Sequence, residues 1–90
     1  MNYHITIQGR GGHGSRPDLA YNPVDCFAAI FGALQSFAPN FTQVESGTAA
    51  NVIPDKLTFE MECSRGQEEI SALLAPICQL YHCSFEIKMC

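Results

Sequence analysis

Apolar and polar residues alternate strictly over residues 3–8, with Tyr3, Ile5 and Ile7 on one side and His4, Thr6 and Gln8 on the other. A period of two predicts a strand with one face buried, and it makes His4 an ordinary outward residue. The same rhythm returns over 56–63, where Leu57, Phe59, Met61 and Cys63 point inward and Lys56, Thr58, Glu60 and Glu62 outward. It closes the chain in Cys83, Phe85, Ile87 and Met89, set against Ser84, Glu86 and Lys88. A shorter strand is expected at 41–45. Residues 47–55, GTAANVIPD, read as an irregular turn in which Gly47 permits a bend and Pro54 keeps Ile53 extended.

Between the strands the period becomes helical. Asn22 is a capping residue, Pro23 suits the first helical position and Asp25 favours the positive end, so a helix is predicted from Pro23 to about Ala38, before Pro39. Its apolar residues form two stripes: Val24, Phe27, Phe31 and Leu34, and beside them Cys26, Ile30 and Phe37. One stripe can cover a sheet. A helix apolar nearly all round needs a second cover, and another subunit or domain is expected to supply it. The second helix starts at Ser64 or Gly66, carries Glu68 and Glu69 in its first turn, and presents Ile70, Leu73, Leu74, Ile77 and Tyr81 as its apolar face. Pro76 is expected to kink or shorten it, and His82 reads as a terminal residue suited to the helix dipole.

The order βαββαβ predicts an α+β fold: a ferredoxin-like sandwich with a four-stranded antiparallel sheet and two helices on one face. In it the first and third strands are central and the second, 41–45, lies on an edge. No Lys and no internal Pro blocks that edge from pairing with another chain. A homodimer through helix 23–38 and edge strand 41–45 is therefore expected.

Composition narrows the function. The chain has 90 residues, 47% of them hydrophobic, with five Lys+Arg and a net charge of −4. That leaves no basic footprint for nucleic acid. No apolar run approaches a membrane span and no signal peptide opens the chain. The five cysteines (Cys26, Cys63, Cys78, Cys83, Cys90) lack CxxC spacing and read as buried thiols of a reducing cytoplasm rather than disulfides or zinc ligands.

The candidate chemistry sits in residues 9–18, GRGGHGSRPD, where Gly9, Gly11, Gly12 and Gly14 surround His13. Such glycine density suggests positive φ or close approach by another group, and an imidazole there can meet a ligand. The literal GxGxxG match is discounted, because Ser15–Asn22 separates it from the helix that a dinucleotide fingerprint must open. His4, His13 and His82 lie on different elements, so no metal site is visible. Nucleophile, base and orienter are not all present. The chain alone is not expected to catalyse a reaction.

GRGGHGSRPD followed by NPVD, then GTAANVIPD, then an arginine at the end of the next strand, resembles the lid or dimerisation domain of the di-zinc metallopeptidases. That family includes aminoacylase, hippurate hydrolase, tripeptidase T and succinyl-diaminopimelate desuccinylase. The resemblance runs in order along nearly the whole chain. It implies a dimer-forming, substrate-capping domain of an amidohydrolase or peptidase acting on N-acyl amino acids or small peptides. It implies that His13 donates a hydrogen bond, in the partner subunit's active site, to the oxyanion formed when an amide carbonyl is attacked. Asn51 matches a lid asparagine that contacts substrate, and Arg65 an arginine that grips a substrate carboxylate. The family's two zinc ions and catalytic glutamate belong to a catalytic domain absent from these residues, so the chain is expected to be a lid from a longer enzyme. Ser46-Gly47-Thr48 departs from the two glycines often found before that threonine. Two other functions fit the predicted fold: a free-standing regulatory module that binds an amino acid at a dimer interface, and a purely structural dimerisation domain.

Overall fold

The computed structural model describes residues 1–13, 18, 20–47 and 52–90, with His13 described through its backbone. Strands β1 (Asn2–Gln8), β3 (Asn40–Ser46), β5 (Lys56–Glu62) and β6 (Ser84–Met89) form one antiparallel sheet in the order β3-β5-β1-β6. Two further strands of two residues each, β2 (Gly12–His13) and β4 (Val52–Ile53), pair separately. Helices α1 (Pro23–Leu34) and α2 (Gln67–Leu80) complete the expected ferredoxin-like α+β sandwich.

The registers follow the alternation. Tyr3, Ile5 and Ile7 lie opposite Met61, Phe59 and Leu57, so one face of the two central strands is continuously apolar. All six are at most 2% exposed, and they pack with Cys26, Ile30 and Leu34 of α1 and Ile70, Leu74 and Cys78 of α2. The one phenol in this core is satisfied: the Tyr3 hydroxyl donates to the Arg65 carbonyl at 2.8 Å. On the outer face His4 stands opposite Glu60, with Nδ1 and Oε1 3.3 Å apart.

α1 begins as expected, with the Asn22 side chain accepting from the Val24 N–H at 2.9 Å and Pro23 in the first turn. After Leu34 it tightens into a 3-10 turn, Gln35–Phe37, and ends at Ala38 in the left-handed region. Leu34 belongs to the buried face, contrary to its expected stripe. At about 100° per residue it falls about 20° from Phe27 and 40° from Ile30, on the boundary between the two stripes. The other stripe faces outward: Val24 is 41% and Phe31 44% exposed, with Phe27 half-buried beside them.

Gly66 precedes α2, so the later of the two expected starts is the observed one. Pro76 does not shorten this helix, which continues to Leu80. Both Pro76 and Ala72, whose carbonyl loses its usual donor, are exposed, so water can satisfy what the ring leaves unpaired.

β3 lies on the edge as predicted and is longer than the expected 41–45, with a register shift between Phe41 and Gln43. Val44 on this margin is 48% exposed. Phe41 turns back to the helix, its ring 5.0 Å from Phe31 and 6.1 Å from Phe27. Edge and helix thus form one apolar surface.

Candidate functional site

The glycine segment is held by its own backbone. As β1 ends, the Gly9 N–H donates to the Asp55 carbonyl at 2.8 Å, and the Gln8 side chain donates to the same oxygen at 3.0 Å. Arg10 and Tyr21 then exchange two bonds, of 2.9 and 2.8 Å, that close the segment between them. Two residues on, Gly12 pairs with Ile53 and His13 with Val52.

Glycine is required here by close approach. A Cβ on Gly9 would lie 2.2 Å from the Tyr21 carbonyl oxygen, and one on Gly11 2.5 Å from that of Ile53. Neither backbone oxygen can move without breaking the pairing it belongs to. Gly12 differs, since its nearest neighbour would be the Ala20 methyl at 3.6 Å, an ordinary contact. Among the described glycines positive φ occurs at Gly47, where β3 ends (86°).

Gly12, Val52 and Ile53 of the β2–β4 ribbon help to line an open cleft of about 790 Å³. Gln8–Gly12 form one wall, Glu45–Gly47 a second, and Val52–Lys56 a third. Arg10 and Lys56 contribute positive charge to the lining, Glu45 and Asp55 negative charge.

Three residues were singled out by sequence. His13 lies on the ribbon, by its backbone position. Asn51 lies outside the described residues; it immediately precedes Val52, the register partner of His13. Arg65 lies beyond the far end of β5, whose near end, Lys56, lines the cleft. Seven residues of β5 separate them, roughly 20 Å at about 3.4 Å per residue. There the Arg65 Nη1 contacts Glu69 Oε2 at 2.8 Å, and its guanidinium sits 4.6 Å from the centre of the Phe37 ring. One chain therefore joins His13 to the Val52 segment and keeps Arg65 away from both.

The framework residues Tyr21 and Asp55 were missed, because they act through backbone groups that no side-chain motif reports. Of the five thiols expected to be buried, Cys26, Cys63 and Cys78 are, Cys83 is half-buried, and Cys90, the last residue, is exposed. Cys26, Cys78 and Cys83 back the same end of the fold. The Cys26 and Cys78 sulfurs are 3.8 Å apart, and a Cβ on Gly9 would meet Cys83 Sγ at 3.3 Å. Burial raises Cys26 to about 12 and Cys83 to about 11, and raises Cys78 as well. At neutral pH these thiols are protonated packing groups rather than nucleophiles. Among the described residues no three His, Cys, Asp or Glu side chains gather as a metal site would require.

Comparison with known proteins agrees with this architecture. The chain is 28% identical to thermostable carboxypeptidase 2 of Saccharolobus solfataricus, over 96% of its own length and 27% of that protein. It is 38% identical to hippurate hydrolase of Campylobacter jejuni, over 67% of its length and 18% of that enzyme. It thus spans about a quarter or less of these relatives. A hydantoinase/carbamoylase family amidase from Burkholderia ambifaria has the same fold, with a TM-score of 0.82 at 13% identity over 99% of this chain and 26% of that one. Residues 1–75 match the family model described as the peptidase dimerisation domain, and the chain belongs to that family.

Proposed function

We propose that the chain is the substrate-capping, dimer-forming lid of a metal-dependent amidohydrolase or peptidase acting on N-acyl amino acids or small peptides. The observation that carries this reading is the free edge of β3, which has no second strand partner among the described residues, beside the exposed Val24, Phe31 and Val44. The names of the relatives, a hippurate hydrolase and a carboxypeptidase, support the substrate class. The two expected zinc ions are assigned to the catalytic domain, in keeping with a chain that spans about a quarter or less of its hydrolase relatives. A free-standing amino-acid-binding module is not favoured, given the family to which the chain belongs. No described helix is long and apolar enough to cross a membrane, and five free cysteines support the reducing cytoplasm.

Two-fold pairing of β3 with its copy gives this arrangement a purpose. An isologous edge-to-edge contact runs the two β3 strands antiparallel, so the glycine end of one protomer adjoins the Arg65 end of the other. The β5 strands would then lie three spacings apart, roughly 14 Å at 4.8 Å each. His13 and Asn51 of one subunit would face a substrate whose carboxylate Arg65 of the other can bind as a guanidinium fork. His13 donates to the oxyanion that forms as the amide carbonyl is attacked, a role worth about 10²–10³ in turnover. To do so Arg65 must exchange Glu69 for the substrate; both side chains are about half exposed, which keeps that exchange inexpensive.

The test is His13→Ala in the full-length enzyme. Turnover is expected to fall about 10²–10³-fold with metal content unchanged; undiminished turnover would remove the proposed role.

A further inference from the structure

His82 is one of two described non-glycine residues with positive φ, at 58°. It follows α2 in a turn where the His82 N–H donates to the Gln79 carbonyl at 3.2 Å and the Cys83 N–H to the Cys78 carbonyl at 2.8 Å. Those two bonds define the Schellman ending, and His82 occupies the position that glycine usually fills. A side chain kept where glycine is cheaper points to a use for that side chain. The His82 ring lies 4.8 Å from the Tyr21 ring, tilted at 39°. The backbone of Tyr21 holds both bonds to Arg10, and Gly9 lies against the Tyr21 carbonyl and Cys83. The turn ending α2 therefore braces both feet of the segment that carries His13.

We propose that the Tyr21–His82 ring pair is a positioning clasp: it holds the Arg10–Tyr21 bridge, and with it the register that seats His13 opposite Val52. The idea rests on the reading of His13 as oxyanion donor, whose hydrogen bond demands placement; a 1 Å error can cost about 10² in rate. His82 and Tyr21 are positioning residues and touch no substrate.

Amide hydrogen exchange in the intact protein, together with steady-state kinetics, tests the clasp. His82→Gly relieves the backbone and removes only the ring, so a merely structural role for position 82 predicts unchanged or greater protection. The clasp predicts exchange at Arg10 and Tyr21 accelerated about three- to tenfold, with Ile5 and Phe59 in the sheet unchanged. Tyr21→Ala should match it, Tyr21→Phe should retain parental rates, and the double Tyr21→Ala/His82→Gly should be no faster than either single variant. In the same variants kcat should fall with KM unchanged, and Tyr21→Phe should restore it. Unchanged exchange at Arg10 and Tyr21, equal acceleration in the sheet, or a kcat indifferent to accelerated exchange would each overturn the proposal. His13→Ala run alongside separates the two ideas: if it leaves kcat intact, the histidine's role fails and the catalytic purpose of the clasp falls with it, whatever the exchange rates show.

Discussion

At Gly9 and Gly11 one methyl group decides whether the glycine segment can lie where it does. Gly11→Ala would drive its Cβ to 2.5 Å from the Ile53 oxygen, whereas Gly12→Ala would make an ordinary contact at 3.6 Å. The first should cost about 2–3 kcal/mol and the second under about 1 kcal/mol, as read from urea midpoints at constant slope. The density of glycines was legible as a demand for either positive φ or close approach; which of the two applies depends on Tyr21 and Ile53, residues distant in sequence. Cysteine is the other informative residue type. Because burial raises Cys26 from 9.0 to about 12, the folded state holds its proton more tightly than the unfolded chain. The stability this represents is complete below pH 9 and is lost as pH rises toward 12. Thermal midpoints should therefore drop across that window, and Cys26→Ala should flatten the drop. At pH 8, alkylation should reach the exposed Cys90 and spare the buried Cys26 and Cys78.

At the scale of elements, Pro76 shows how exposure overrides propensity. Its ring removes one helical hydrogen bond on a face that water reaches, so the helix passes through it. Pro76→Ala should restore that bond and raise stability by about 1–3 kcal/mol, less what is lost by freeing the unfolded chain; a urea curve reads it directly. β1, β5, β6 and both helices were legible because each repeats its apolar period several times; β3, with only Phe41 and Val44 apolar across a register shift, shows no such period, and its length was underestimated. β2 and β4 were not, since two residues cannot display a period, and their pairing joins positions 12–13 to 52–53. Leu34 groups by spacing with Val24, Phe27 and Phe31, yet is buried with Ile30, because it lies on the boundary between two apolar arcs. The clasp at Tyr21 and His82 was invisible for the reason that hid β2 and β4: contacts made across the fold leave no local pattern.

For the whole molecule, the sheet buries one face on two helices and leaves apolar surface where β3 meets α1. In the proposed dimer a second copy laid antiparallel along β3 would cover that margin and bring each glycine end to its partner's Arg65 end. The residue pattern disclosed the need for a cover and the open edge. It could not disclose that His13 and Arg65 stand beyond opposite ends of the four-stranded sheet, because that follows from strand direction. Sedimentation equilibrium of the protein beside its Phe31→Glu/Val44→Lys variant tests the pairing most directly. The account predicts a dimer that becomes a folded monomer when both charges are introduced; a parent protein that is already monomeric, or a variant that stays dimeric, would contradict it.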